Sequence, residues 1–189
     1  LFFLKKSNDF FKSFGGKAPT PSLFSILIFA THYFHLFIRR FFMIRKDIST
    51  ITHGVIMHQV NCQNKMGAGV AKALYNTYPQ VKTEYHQIAY QPQFNTPQKR
   101  FGLLQPVKIT DDLVIFNSFS QLDYGRNKSI KYTDEEVLMT NLQRFDEYAK
   151  YHHLPAYVPE RIGCGLANGN WSTIKTFIET ETDIIIVGL

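Results

Sequence analysis

The stretch Ile56-Met57-His58-Gln59-Val60-Asn61-Cys62-Gln63-Asn64-Lys65-Met66-Gly67-Ala68-Gly69-Val70-Ala71-Lys72-Ala73-Leu74 passes from a short apolar segment through a polar cluster and a glycine turn into helix-compatible sequence. Gly67 and Gly69 permit a tight turn with no side chain in the way of an approaching ligand, and Val70, Ala71, Ala73 and Leu74 suit a helix. A helix that starts at such a turn points free backbone N–H groups and the positive end of its dipole outward. The natural guest is an anion, most simply a phosphate. Such turns are also common as plain structure, and by itself this one decides nothing.

Upstream, Ile44 opens a short apolar segment that ends at Lys46-Asp47-Ile48-Ser49, and Thr52-His53-Gly54 turns the chain into Val55-Ile56-Met57, a buried strand. Downstream, Val70, Ala73, Leu74 and Tyr78 share one helical face that Pro79 ends, and Val81 to Tyr90 continues as a second helix with Tyr85 and Ile88 inward. Gln91 to Arg100 has two prolines and no periodicity, which reads as loop. Gly102–Val107 and Leu113–Phe119 read as paired strands about an Asp111-Asp112 turn, and polar Gln121 to Ile130 as a surface loop. Thr133 opens a helix with a capping box, since Glu136 stands three residues on, and Val137, Leu138, Leu142, Phe145 and Tyr148 form its apolar stripe.

Ala156-Tyr157-Val158-Pro159 is a short strand that runs into a second glycine loop, Arg161-Ile162-Gly163-Cys164-Gly165-Leu166-Ala167-Asn168-Gly169-Asn170-Trp171. A helix from Ser172 to about Glu181 follows, and Asp183 to Val187 closes as an apolar strand. Helices alternating with buried strands imply a mixed α/β sheet covered on both faces. Ligands of such sheets bind beyond the carboxyl ends of the strands, and here two strands end in glycine loops that lead into helices. That coincidence raises the phosphate reading above a mere turn.

Composition narrows the partners. The 189 residues suffice for one domain with a sizeable core plus an appendage. The formal charge of +6 is concentrated in residues 1–42, which carry six basic residues and one acidic; residues 43–189 carry 15 basic and 14 acidic. A basic nucleic-acid-binding face is therefore not indicated for the body. The segment 1–42 also holds eleven of the seventeen phenylalanines and the apolar run Leu23 to Ile38, bounded by Pro21 and Arg39-Arg40. It falls just short of the roughly 18–20 apolar residues a spanning helix needs. Membrane anchor, signal sequence and upstream sequence joined to a body beginning at Met43 all remain open for it. A membrane partner enters only through this extension. Cys62 and Cys164 can form one bridge at most, and free thiols in a reducing cytoplasm are expected. No metal-ligand spacing appears, His152-His153 being an adjacent pair, and no cofactor is expected.

The motifs His58-x-x-Asn61-Cys62, Met66-Gly67-Ala68-Gly69-Val70-Ala71 and Arg161-Ile162-Gly163-Cys164-Gly165-Leu166 with Trp171 resemble those of a macro domain, the ADP-ribose-binding module. The resemblance covers essentially all of 43–189. It is nearest to the branch holding the yeast-type ADP-ribose 1''-phosphate phosphatase, the terminal ADP-ribose protein glycohydrolase, and short bacterial and phage proteins. It implies a three-layer α/β/α macro-domain fold with an N-terminal extension, and ADP-ribose or a derivative as ligand. Whether that ADP-ribose is carried by a metabolite, a protein or a nucleic acid stays open.

On individual residues, the resemblance implies that Asp47 accepts from the adenine amino group with Ile48 beside it. Gly67, Ala68, Gly69 and Val70 would pass close to the distal ribose and one phosphate. Gly163, Cys164, Gly165, Leu166, Ala167, Asn168 and Gly169 would wrap the other phosphate through backbone N–H groups, and Asn61 would hold the distal ribose hydroxyls. Phe119 would pack against the ribose or adenine. The implied activity is hydrolysis of ADP-ribose 1''-phosphate, with His58 and Asn61 at the catalytic centre. His58 is the histidine adjoining the expected crevice, and imidazole titrates in the range for acid or base work. A strand histidine satisfied by a hydrogen bond is the plain alternative. Asp123 is the nearest acidic candidate, and Arg126 a candidate phosphate clamp. The glycohydrolase relative uses a lysine on the strand corresponding to Ile115–Phe119 and an aspartate directly after Gly-Cys-Gly-Leu. This chain has no lysine there and has Ala167 in the second place, which disfavours that chemistry.

Overall fold

The computed structural model describes residues 43–188, which lie within a unit formed by residues 42–189. The expectations for residues 1–42 lie outside the described residues. Six strands, β1 (Ile44–Arg45), β2 (Gly54–Asn61), β3 (Leu104–Lys108), β4 (Leu113–Gln121), β5 (Ala156–Pro159) and β6 (Ile185–Gly188), form one sheet in the order β1-β6-β5-β2-β4-β3. All neighbouring pairs are parallel except β3 against β4, which pair antiparallel from Leu104↔Ser118 to Lys108↔Val114. The helices are α1 (Gly69–Thr77), α2 (Gln80–Gln87), α3 (Pro97–Arg100), α4 (Glu135–Tyr151) and α5 (Trp171–Glu181).

β2 is apolar on both sides of its pleat, as a central parallel strand must be. Val55 and Met57 face α4 and α5, where they meet Leu138, Leu142, Phe145, Ile174 and Ile178. Ile56 and Val60 face α1 and α2, where they meet Leu74, Val81, Tyr85 and Phe119. Each such side chain, fully buried, stabilises the fold by about 1.5–3 kcal/mol relative to exposure. The result is the expected three-layer α/β/α arrangement with a mixed sheet. Among the described residues no helix is long and apolar enough to cross a membrane.

Three local expectations change. The cap of α4 is Asp134, whose carboxylate accepts from the Val137 N–H at 3.0 Å, and Thr133 is freed for another task. Gln91 to Arg100 is not plain loop: a 3-10 turn spans Pro92–Phe94, and Thr96 caps α3 with Pro97 in its first turn. Proline at a helix start costs nothing, because the N–H it lacks would have no partner there. The closing strand begins at Ile185 rather than Asp183, whose N–H instead donates to Asp146 Oδ1 at 3.0 Å.

One polar chain runs through the α2 side of the core. His58 Nε2 lies 2.7 Å from Asn117 Oδ1; Asn117 Nδ2 donates to Gln105 Oε1 at 2.9 Å, and Gln105 Nε2 donates to the Glu84 carbonyl at 3.0 Å. The direction of this relay makes His58 the Nε2–H tautomer. His58 is 1% exposed, and burial pushes its imidazole down to about 4 against the opposing bond to Asn117.

Two outcomes follow for stability. In the unfolded chain the same imidazole binds its proton near 6.5, so between about 6.5 and 4 the unfolded state holds more protons and stability falls as pH is lowered. Denaturant unfolding across that window should lose about 3 kcal/mol through this group, and His58→Gln should flatten the profile there. Gly54 opens β2 at φ +105, and a Cβ on it would sit 2.5 Å from the Pro155 carbonyl oxygen. Gly54→Ala should cost about 2 kcal/mol or more in urea unfolding, because strained backbone and a clash with main chain act together.

Candidate functional site

β2 and β5 are parallel neighbours, yet the chain leaves β2 toward β4 on one side and β5 toward β6 on the other. The strand order therefore reverses between them, the kind of point at which open α/β sheets take ligands beyond the carboxyl ends of their strands. Cys62 to Ala68 follows β2 and residues 160–170 follow β5, so both glycine loops stand at this switch point. The turn at Asp47 follows β1 on the same edge, as does the loop from Leu122 to Thr133 after β4.

Gly67, Ala68 and Gly69 are exposed, and a Cβ placed on Gly67 or Gly69 would meet nothing within 4 Å. Ala68 occupies the N-cap of α1 in extended conformation and has no side-chain oxygen to offer. Asp134 and Asn170, by contrast, cap α4 and α5. Among the described residues no acceptor takes the N–H groups of Gly67, Ala68 or Gly69. They present open donors at the positive end of a helix dipole.

The second loop reaches the same state by a different route. Its carbonyls are turned back into the body: Gly163 O accepts from Thr133 Oγ1 at 2.6 Å and Gly169 N at 2.9 Å, and Ala167 O accepts from Tyr132 N at 2.9 Å and Thr133 N at 3.0 Å. Asn168 Nδ2 donates to the carbonyls of Asn127 at 3.0 Å and Ile130 at 2.6 Å. Gly163 at φ +72 and Asn168 at φ +57 supply the left-handed turns that this path needs. Among the described residues no acceptor takes the N–H groups of Gly165, Leu166 and Ala167, and there is open space over Gly165. Leu166 stands 54% exposed above them, while the side chains of Cys164 and Ala167 are buried.

Asp47 also lies on this edge. Its Oδ1 accepts from Ser49 N at 2.9 Å and Ser49 Oγ at 2.8 Å, and the Ser49 amide holds the carboxyl below the usual range. It stays an anionic acceptor at neutral pH, suited to an amino group. Beside it, the side chain of Ile48 is 6% exposed and packs in the core beside α1, so at this edge Ile48 offers its backbone rather than its side chain.

Of the two residues expected at the catalytic centre, Asn61 ends β2 on this edge and His58 lies three residues deeper in the strand. His58 points under α2 into the relay with Asn117, away from water, and its depressed affinity for protons suits neither acid nor base work in the crevice. Asn61 is half-buried, and both ends of its amide are engaged within the loop. Phe119 is fully buried and stacks on Tyr85 at 5.5 Å, so it belongs to the core. Burial pushes the Cys62 thiol up to about 12 and the Cys164 thiol up to about 11, leaving both as small buried hydrophobes rather than nucleophiles. Asp123 and Arg126 are exposed on the loop after β4, where Asp123 Oδ1 accepts from the Tyr124 N–H at 2.8 Å. Among the described residues no group of three or more histidine, cysteine or acidic side chains could hold a metal ion.

Two residues support the site without having been marked for it in the sequence: Gln59, and Thr133, which read only as a helix cap. Gln59 Nε2 donates to Ser120 Oγ and to Thr133 Oγ1, both at 3.1 Å, and Thr133 in turn donates to Gly163 O. These contacts tie β2, β4, the start of α4 and the second loop into one polar seam. The polar Gln59 inside an apolar strand was the signal for it.

No family model matches the sequence. An uncharacterised 17.5 kDa protein of Enterobacteria phage T4, from the tk-vs intergenic region, is 29% identical over 141 residues, covering 70% of this chain and 84% of the phage protein. A protein of unknown function from Bacteroides thetaiotaomicron is similar in structure at TM-score 0.65 and 25% identity, covering 77% of this chain and 94% of that one. A macrodomain protein from Streptomyces coelicolor matches at TM-score 0.58 and 23% identity, with 77% and 95% covered. A macrodomain from Oceanobacillus iheyensis, solved with ADPR, matches at TM-score 0.54 and 16% identity, with 77% and 81% covered. With a six-stranded mixed sheet, helices on both faces and two glycine loops at its switch point, the described chain has the macro-domain fold.

Proposed function

We propose that residues 43–189 form a macro domain that binds ADP-ribose or a close derivative in the crevice between the two glycine loops. The observation that carries this reading is the pair of unpartnered donor runs, Gly67–Gly69 and Gly165–Ala167, on the carboxyl edge of adjacent parallel strands. Two such runs suit the two phosphates of a pyrophosphate, each taking charge-assisted hydrogen bonds from one loop. Val70 and the first turn of α1 border the first phosphate, and the Gly163 to Gly169 arch borders the second. Asp47 supplies the acceptor for the adenine amino group. The Oceanobacillus iheyensis macrodomain solved with ADPR supports the choice of ligand.

Hydrolysis of ADP-ribose 1''-phosphate to ADP-ribose and phosphate is the second reading. It is favoured over lysine-based removal of ADP-ribose from protein by the character of β4, whose residues Ile115 to Phe119 are all buried and include no lysine. In this reading the open amides of the first loop neutralise phosphate oxygens, and His58 takes no part in proton transfer. A reader that binds ADP-ribose without turnover is the rival. The target carrying the ADP-ribose, whether metabolite, protein or nucleic acid, is decided by the same assays.

Calorimetry on the full chain should show ADP-ribose binding. Gly67→Val and Gly165→Val place a side chain in open space at backbone angles any residue adopts. Each should therefore leave unfolding free energy within about 0.5 kcal/mol of the parent. Each should also weaken ADP-ribose at least tenfold, about 1.4 kcal/mol. Undiminished affinity in both variants would remove the loops from the site. In a turnover panel of ADP-ribose 1''-phosphate, ADP-ribosylated glutamate and ADP-ribosylated thymidine, phosphate release from the first is expected of the phosphatase, and His58→Gln should retain it. Binding with no turnover of any of the three selects the reader.

A further inference from the structure

Asn61 has no spare polar atom within its loop. Its Oδ1 accepts from Gln63 N at 3.0 Å and Lys65 N at 3.4 Å, and its Nδ2 donates to Lys65 O at 2.6 Å, so its amide folds Gln63 to Lys65 around itself. The support for this fold comes from the layer beneath. Tyr85, 1% exposed on α2, places its hydroxyl 2.9 Å from Asn61 O and 3.0 Å from Asn61 Oδ1. A phenol has one proton to donate, and here both acceptors belong to a single residue, which fixes that side chain relative to its own backbone. Its ring is held in turn by stacking on Phe119.

The next peptide is clamped from two sides. Cys62 N donates to Gln121 O at 2.8 Å, and Cys62 O accepts from Arg100 Nε at 3.1 Å and Nη2 at 2.6 Å. Arg100 also donates through Nη1 to Phe94 O at 2.6 Å. It is 4% exposed and makes no ion pair among the described residues. A buried guanidinium compensated by carbonyl oxygens is costly to keep, and here it grips the first peptide of the loop that leads to the Gly67–Gly69 turn. The same segment is pinned at its tip, where His86 Nδ1 lies 2.8 Å from Oδ1 of Asn64, a residue at φ +57.

We propose that Tyr85 and Arg100 are positioning residues that act through Asn61 and Cys62 to hold the Gly67–Gly69 donors in their ligand-ready arrangement. Neither touches the ligand. Their contribution is preorganisation: the turn is ordered before an anion arrives, so binding does not bear the entropy of ordering it. Arg100 adds a fixed positive charge at the root of the loop, which lysine keeps and glutamine removes. This inference rests on the ADP-ribose reading for its functional consequence, but the ordering of the turn is measurable without any ligand.

The experiment uses the full chain with Tyr85→Phe, Arg100→Lys and Arg100→Gln. Tyr85→Phe removes one hydroxyl and keeps the stacked ring, so the unfolding midpoint should move little. Backbone amide order parameters of Asn64 to Gly69, measured by NMR without ligand, should drop from the range of rigid backbone, about 0.85, toward about 0.6. ADP-ribose affinity by calorimetry should fall five- to twentyfold in Tyr85→Phe, and more in Arg100→Gln than in Arg100→Lys. Unchanged order parameters in Tyr85→Phe would overturn the proposal even if Arg100 variants fail to fold. Equal affinity for Arg100→Lys and Arg100→Gln would overturn the electrostatic part. If the parent chain binds no ADP-ribose, the ligand reading fails, and the order parameters still decide the positioning role.

Discussion

The parallel pairing of β2 with both β5 and β4 is the constraint on which the rest depends. A parallel strand delivers its carboxyl end to the same edge as its neighbours, so loops about a hundred residues apart in the chain emerge side by side. Antiparallel pairing of β5 with β2 would have sent the second glycine loop to the far edge. The register Val55↔Ala156 and Ile56↔Tyr157 is short, and burial of Val55, Ile56, Ala156 and Val158 in the layers above and below holds it. Hydrophobic packing thus sets where the backbone donors point.

The two loops solve one problem by different means. In the first, a helix begins without a capping side chain, and glycine leaves the approach open. In the second, the carbonyls are drawn inward by Thr133, Tyr132 and Gly169, and the intervening N–H groups are left outward by default. Open donors are normally a defect, since an exposed helix end is usually served by a side chain and a buried one must be. Here α4 and α5 receive side-chain caps, whereas α1 starts without one at a turn whose glycines leave open space in front of it.

Much of this was legible in the sequence because it is local. The glycine spacing of Gly67 and Gly69, the continuous apolar run of β2, and the apolar stripe of α4 each declare their element within a few residues. The cap of α4 was misread by one position, Thr133 for Asp134, since both residue types cap helices and only the tertiary partner of Thr133 distinguishes them. The roles of His58 and Asn61 were illegible for a deeper reason. A strand side chain's face is fixed by register, and whether a polar atom is free depends on partners distant in sequence: Asn117 for His58, Tyr85 for Asn61. The segment Gln91 to Arg100 hid its order because short capped turns carry no periodicity, and its buried arginine looks like any surface charge.

The antiparallel strand β3 lies on the margin of the sheet with five residues, of which Pro106 and Lys108 are exposed. Proline has no N–H with which to extend a ladder, and the lysine, paired with Asp111 at 2.7 Å, sets charge beside it. A foreign strand approaching from that side meets a broken row of donors and a hydrated ion pair. The border that completes the sheet therefore also guards it against self-templated growth.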